Sequence, residues 1–207
     1  MIFDSVVVGP LGVNCYIIGC ESTREGAVID PGGDAERIIA AFSGRGLKIV
    51  HVLNTHGHFD HIGANRAILE ATGADLLIHE ADVPFLTLAD RAAAAFGVKG
   101  ENSPPPDGFL QDGITIAVGE LELKVIHTPG HTPGGCCFYG NGMVVTGDTL
   151  FAESIGRTDL PGGSLEALLG SIHGKLLGLP DDTVVYPGHG PSTTIGREKA
   201  RNPYLRG

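Results

Sequence analysis

The sequence predicts a mixed α/β (α+β) fold in which two mixed sheets pack together with helices on the outside. Three observations lead there. Apolar runs of strand length cluster in each half of the 207-residue chain, helical stretches fall between them, and 32 glycines supply tight turns between short elements. The length fits a single domain, taken as residues 1–207, and 42% hydrophobic residues suffice for a sizeable core.

The run IFDSVVVG opens the first half as a strand, followed by NCYIIG and by GAVID, which ends at Asp30. PGGD is a turn, and Asp34 is the expected N-cap of a helix through ERIIAAF that stops near Gly44 and Gly46. LKIVHVLN is almost unbroken in its apolar character, the pattern of a strand covered on both faces. A helix over 62–72 closes at Gly73, DLLIH returns to strand, and residues 80–96 form a helix whose first turn Pro84 interrupts. GVKGENSPPPDGF is the one long loop, stiffened by Pro104, Pro105 and Pro106. In the second half ITIAVGELELKVIH, GCCFYG and GMVVTG are strands, the last two joined by a hairpin turn at Gly140–Asn141–Gly142. A helix over 165–177, the strand TVVYP and a basic helix complete the chain.

Composition removes several function classes. A formal net charge of −10 opposes a nucleic-acid partner, which would need Lys and Arg to replace phosphate counterions. The opening MIFDSVVVGP has no basic leader, and no apolar stretch approaches the ~20 residues of a membrane span, so neither membrane nor export is expected and the chain reads as cytoplasmic. Cys15, Cys20, Cys136 and Cys137 show no metal-knuckle spacing and read as reduced, buried thiols on strands.

Residues 54–64 read NTHGHFDHIGA, placing three of the nine histidines within six positions. Four times an apolar strand runs into a glycine-containing turn that presents His or Asp. LKIVHVL leads to His56, His58, Asp60 and His61; LKVIH leads to His131; MVVTG leads to Asp148; TVVYP leads to His189. Strand ends distant in sequence converge at one sheet edge, where active sites form. Imidazoles with carboxylates suit Zn²⁺, and equally Fe or Mn. Seven donors exceed one tetrahedral zinc and suit two divalent metal ions that share a carboxylate. His51, His79, His127 and His173 stand alone beside apolar segments and read as core or surface histidines.

THGHFDH resembles the T-H-x-H-x-D-H metal signature of the metallo-β-lactamase superfamily. PGHTPG, TGDTLF and YPGHGP resemble its later metal motifs, in order and along essentially the whole chain. VIDPGGDAE, IGRTDLPGG and NPYL are similar to the small bacterial glyoxalase II-like (hydroxyacylglutathione hydrolase-like) group. The resemblance implies a four-layer αββα sandwich. It places His56, His58 and His131 on one metal, Asp60, His61 and His189 on the other, and Asp148 between them, with zinc expected ahead of iron or manganese. Longer glyoxalase II enzymes hold glutathione with an added C-terminal helical domain; eighteen residues follow His189 here, so that domain is not expected. Weak binding and loose acyl discrimination would result.

The implied function is hydrolysis of a glutathione-linked thioester such as S-lactoylglutathione, with Asp60 both ligand and orienter of the attacking water. The thiolate leaves readily because ordinary thiols have pKa values of about 8.5, so no strong general acid is required. The alternative on the same scaffold is a persulfide dioxygenase using one iron, which shares a GRTD-like segment; LPGG after it is closer to the hydrolases. Lactonase and β-lactamase activities share the metal cluster. Asp30 either supports a ligand histidine or is a turn aspartate. Arg157 and Asp159 either line the pocket mouth or form an ion pair. Arg197, Lys199 and Arg201 either meet glutathione carboxylates or form a solvated helix face.

Overall fold

The computed structural model describes residues 1–206. The first half builds a six-stranded sheet from β1 (Ile2–Val8), β2 (Val13–Gly19), β3 (Glu25–Ile29), β4 (Lys48–Leu53), β5 (Asp75–His79) and β6 (Gly108–Leu110), in that spatial order. β1, β2 and β3 pair antiparallel; β3 to β6 pair parallel, with helical segments in the crossovers. These segments are α1 (Ala35–Gly44), α2 (Phe59–Ile62), α3 (Asn65–Thr72), α4 (Val83–Leu86) and α5 (Ala89–Ala95).

The second half adds β7 (Thr115–Val118), β8 (Leu121–His127), β9 (Cys136–Gly140), β10 (Met143–Gly147), the small hairpin β11 (Leu150–Phe151) and β12 (Ser154–Ile155), α6 (Leu165–Ser171), β13 (Val184–Pro187), β14 (Thr193–Thr194) and α7 (Ile195–Arg201). Its six-stranded sheet runs β14-β13-β10-β9-β8-β7.

Strand periodicity explains the layers. On β2, Tyr16 and Ile18 point into a core shared with Val125, Phe138 and Val145 of the second sheet. Their neighbours Cys15 and Ile17 point the other way, against Ile38 and Phe42 of α1. On β9, Phe138 faces the shared core while Cys137 packs with Leu168 of α6 and Ile195 of α7. Both faces of each sheet are covered, giving the αββα sandwich, and central strands therefore carry apolar residues without alternation.

Several expected boundaries shift. Asp34 makes no side-chain cap; it adopts φ 49° and accepts from the Gly9 amide at 3.0 Å instead. The helix expected over 62–72 starts earlier and breaks between Ile62 and Asn65, where the chain carrying His58 to His61 turns. Residues 80–96 form three short pieces, with Pro84 tolerated in the first turn of α4, where no amide bond is needed. The long loop ends two residues early, since Gly108 and Phe109 join β6. α6 ends at Ser171 and passes into a π-helical turn, Ile172–Leu176. The hairpin at Asn141–Gly142 forms as expected, with φ 52° and 75° at its central residues. All four cysteines are free and buried, but Cys20 lies just beyond β2 rather than on a strand.

Candidate metal centre

The four strand ends converge. Potential ligand atoms of His56, His58 and His131 lie within 4.8 Å of one another, as do those of Asp60, His61 and His189, and those of His56, His61 and Asp148. Asp148 lies between the first two groups. Its Oδ1 is 3.4 Å from His61 Nε2, and its Oδ2 is 3.5 Å from His131 Nε2 and 3.8 Å from His189 Nε2. Asp60 Oδ2 lies 3.3 Å from His189 Nε2 and 3.7 Å from His61 Nε2. His51, His79, His127 and His173 belong to none of these groups.

Hydrogen bonds around the cluster set the imidazole tautomers. A main-chain carbonyl only accepts, so the 2.7 Å contact from His131 Nδ1 to Arg157 O makes Nδ1 the donor and turns the Nε2 lone pair inward. The Asp30 carboxylate holds His61 Nδ1 at 2.9 Å and also accepts from the Thr55 hydroxyl at 2.6 Å and the Thr55 amide at 2.7 Å. Since that hydroxyl donates to Asp30, it accepts from His56 Nδ1 at 3.1 Å, which again leaves Nε2 facing the cluster. His58 presents Nδ1, 2.9 Å from His131 Nε2.

Three buried atoms here have no hydrogen-bond partner among the described residues: His56 Nε2, His61 Nε2 and Asp148 Oδ1. Leaving such atoms unpaired costs about 1–3 kcal/mol each, so three aimed at one point are a poor hydrogen-bond network and a good ligand set. The His/Asp cluster fits a dinuclear metal site. Its donors admit zinc, iron or manganese alike.

Electrostatics separate the two sides of the metal-free cluster. Burial, reinforced by neighbouring imidazoles, holds His56 well below its ordinary pKa and pushes His58 down to about 3. Burial also opposes a charge on His61, yet Asp148, Asp60 and Asp30 together raise it to about 10. Burial disfavours the Asp60 carboxylate, but His61 and His189 outweigh it and keep Asp60 ionised well below the usual carboxylate range.

The supporting shell reaches across both halves of the fold. Asn14 Nδ2 donates to Pro187 O and Gly190 O at 2.9 Å each, and Tyr16 donates to Pro187 O at 2.7 Å, so β2 fixes the turn carrying His189. Gly188 in that turn has no alternative: a Cβ there would overlap Asp148 Oδ1 and His61 Cε1. Asp82, which nothing in the sequence singles out, accepts from Gly57 N at 2.9 Å, the Thr132 hydroxyl at 2.8 Å and Gly134 N at 2.6 Å. It clasps the turn of His56 and His58 to the turn of His131. Its pKa is raised by burial, against those hydrogen bonds.

Of the residues with two readings, Asp30 supports a cluster histidine. Arg157 does two things: its guanidinium pairs with Asp159 through two 2.7 Å bonds, and the residue lines the cavity over the cluster. Arg197 and Lys199 pair with Glu153 and Asp181, and with Arg201 they lie outside that cavity. The cavity is about 850 Å³, with His58, Asp60, His131, Asp148 and His189 as its floor. No helix among the described residues is long and apolar enough to cross a membrane.

Comparison with known proteins gives the same picture. The family described as the metallo-beta-lactamase superfamily matches residues 8–189. The hydroxyacylglutathione hydrolase GloC of Haemophilus influenzae is 39% identical over 93% of this chain and 92% of its own length. Among solved structures, the B3 metallo-beta-lactamase BLEG-1 superposes with a TM-score of 0.93 at 38% identity, covering 100% of both chains. TTHA1623, solved in a di-iron-bound form, gives a TM-score of 0.90 at 40% identity, covering 98% of this chain and 100% of that one.

Proposed function

Because this chain belongs to the metallo-β-lactamase superfamily, we propose that it is a metal-dependent thioester hydrolase acting on glutathione-linked acyl groups, S-lactoylglutathione among them. The observation that carries the reading is the placement of Asp148 between two donor triads, on the floor of an open cavity. Likeness to the Haemophilus hydroxyacylglutathione hydrolase supports the substrate class.

In this reading His56, His58 and His131 would hold one metal and Asp60, His61 and His189 the second, with the Asp148 carboxylate available to both. When bound, such a pair supplies Lewis acidity and a water that ionises near neutral pH. The chain's own residues do the rest. Asp30, Thr55 and the Arg157 carbonyl keep the imidazole nitrogens aimed inward, and Asp60 orients the attacking water. As water adds to the thioester carbonyl, a C–O bond forms, the C–S bond breaks with its electron pair on sulfur, and the water protons pass to solvent, leaving a carboxylate and a thiolate. Among the described residues of the cavity wall, outside the donors, there is no Glu, Lys, Tyr or Cys to protonate a leaving group. A thiolate leaves without that help, whereas an alkoxide or amide anion would not, and this favours a thioester.

A second reading, β-lactam hydrolysis, has one observation in its favour, the match to BLEG-1. Parallel assays of the metal-loaded protein separate the readings: S-lactoylglutathione loss, a chromogenic cephalosporin, and oxygen uptake with glutathione persulfide. The proposal expects thioester loss to dominate. Dominant cephalosporin turnover, or iron-dependent oxygen uptake without thioester loss, would overturn it.

A further inference from the structure

The donors form only the floor of the cavity of about 850 Å³; its walls are mostly apolar. One side of α5 and its flanks supplies Leu88, Ala92, Ala95 and Phe96, spaced so that they share a helix face. Leu11 and Phe151 line the cavity as well. Leu11, Leu88 and Phe96 are 41%, 43% and 48% exposed, so three of the eight large exposed hydrophobic side chains among the described residues meet at this one opening. Single exposed apolar residues need no explanation, but a cluster around a reactive floor marks a ligand surface.

The charges at the wall are selective too. The chain carries a net −10, yet outside the donors the charged residues lining the cavity are two cations, Arg91 and Arg157. Asp159 already occupies Arg157. The guanidinium of Arg91 forms no ion pair among the described residues and stands on α5 beside the apolar face.

Building on the thioester reading, we infer that the substrate class is thioesters of apolar acyl groups, of hexanoyl or benzoyl type, on an anionic thiol carrier. The acyl group lies along Leu88, Ala92, Ala95 and Phe96, and a carrier carboxylate meets Arg91. Glutathione, with two carboxylates and an ammonium group, has nothing to place on that wall, so the apolar part must be the acyl part. A lactoyl group brings one methyl and a hydroxyl that would lose water against alkyl side chains. The loose acyl discrimination expected from the sequence therefore gives way to a preference.

The test uses the metal-loaded full chain with acetyl-, butyryl-, hexanoyl- and lactoylglutathione, and calorimetric binding of the unreactive thioethers S-methyl- and S-hexylglutathione. We expect kcat/KM to rise about two- to fourfold per added methylene, and S-hexylglutathione to bind at least tenfold tighter than S-methylglutathione. Ala92→Trp, at an exposed position, should cut the hexanoyl-to-lactoyl ratio at least tenfold. It also introduces the only tryptophan of the chain, whose fluorescence reports the thioether. Arg91→Gln should raise KM by a similar factor at every acyl length while the length preference persists. A flat series, or lactoyl as the best substrate, overturns the inference. Hydrolysis of no thioester, with S-hexylglutathione still bound tightly and weakened by Ala92→Trp, would refute the thioester reading and leave the apolar site assigned. A dimer in sedimentation that Phe96→Glu dissociates would give the wall to a second copy and overturn the inference.

Discussion

Asp30 Oδ2 lies 2.9 Å from His61 Nδ1, with both side chains sealed from solvent. Asp30 stands at φ 52°, just beyond β3, and through Thr55 it also governs the ring of His56. One carboxylate thus orients a histidine on each side of the cluster. Asp30→Asn keeps the shape but removes the charge that fixes both tautomers. Metal affinity should fall about 10–100-fold, read by competition with a chromophoric chelator. Native affinity in this variant would mean that Asp30 serves only the turn.

Asp148→Asn removes the charge between the two triads. It should lower the metal content of the saturated protein below two per chain and abolish most turnover. His173, exposed on the π-helical turn, is the control: His173→Asn should keep metal content and activity within about twofold, in line with ordinary surface substitutions. Equal metal loss in both variants would show the histidines to be wrongly sorted.

Asp82→Asn tests the clasp between the two histidine-bearing turns. An amide nitrogen cannot accept, so either the Gly134 or the Gly57 amide must lose its partner, while the Thr132 hydroxyl can turn and accept instead. The expected loss is about 1–3 kcal/mol in urea unfolding of the metal-free chain, together with weaker metal binding. Unchanged stability would mean that the two turns are held elsewhere.

Metal binding should be coupled to protons in a defined window. In the metal-free chain His61 is held charged up to about pH 10, while His56 and His58 are neutral at pH 8. A group whose folded pKa is raised contributes its stabilisation fully below its unfolded value of about 6.5, and that contribution is lost as pH rises toward 10. Loading metal on His61 at pH 8 must therefore expel its proton. Calorimetry in two buffers of different ionisation heat should give at least one proton released per chain. Identical heats in both buffers would contradict the charged state.

The donor set was legible in the sequence because metal chemistry narrows the residue types to His and Asp and strand-end turns place them at short spacings. The sandwich was legible because apolar runs such as LKIVHVL are unusual outside strands covered on both faces. Asp82 was not legible: it is one of three acids in the helical stretch 80–96, with Glu80 and Asp90, and its partners at Gly57, Thr132 and Gly134 are brought to it only by the packing of the two sheets. β11, β12 and β14 are two residues each, too short to show a period. The apolar cavity wall was hidden for a different reason. ADRAAAAF has alanine on every side, so nothing in its pattern tells Ala89 and Ala93, which enter the core, from Ala92 and Ala95, which face the cavity.

The proposed two-metal thioester hydrolysis is tested by an anaerobic titration of the metal-free chain with zinc, iron or manganese, following S-acylglutathione loss against metal bound per chain. Hydrolysis is expected to proceed without oxygen, to stay low through the first equivalent and to rise steeply to a plateau at two. Full activity at one metal per chain, or no thioester loss with any of the three metals, would contradict it.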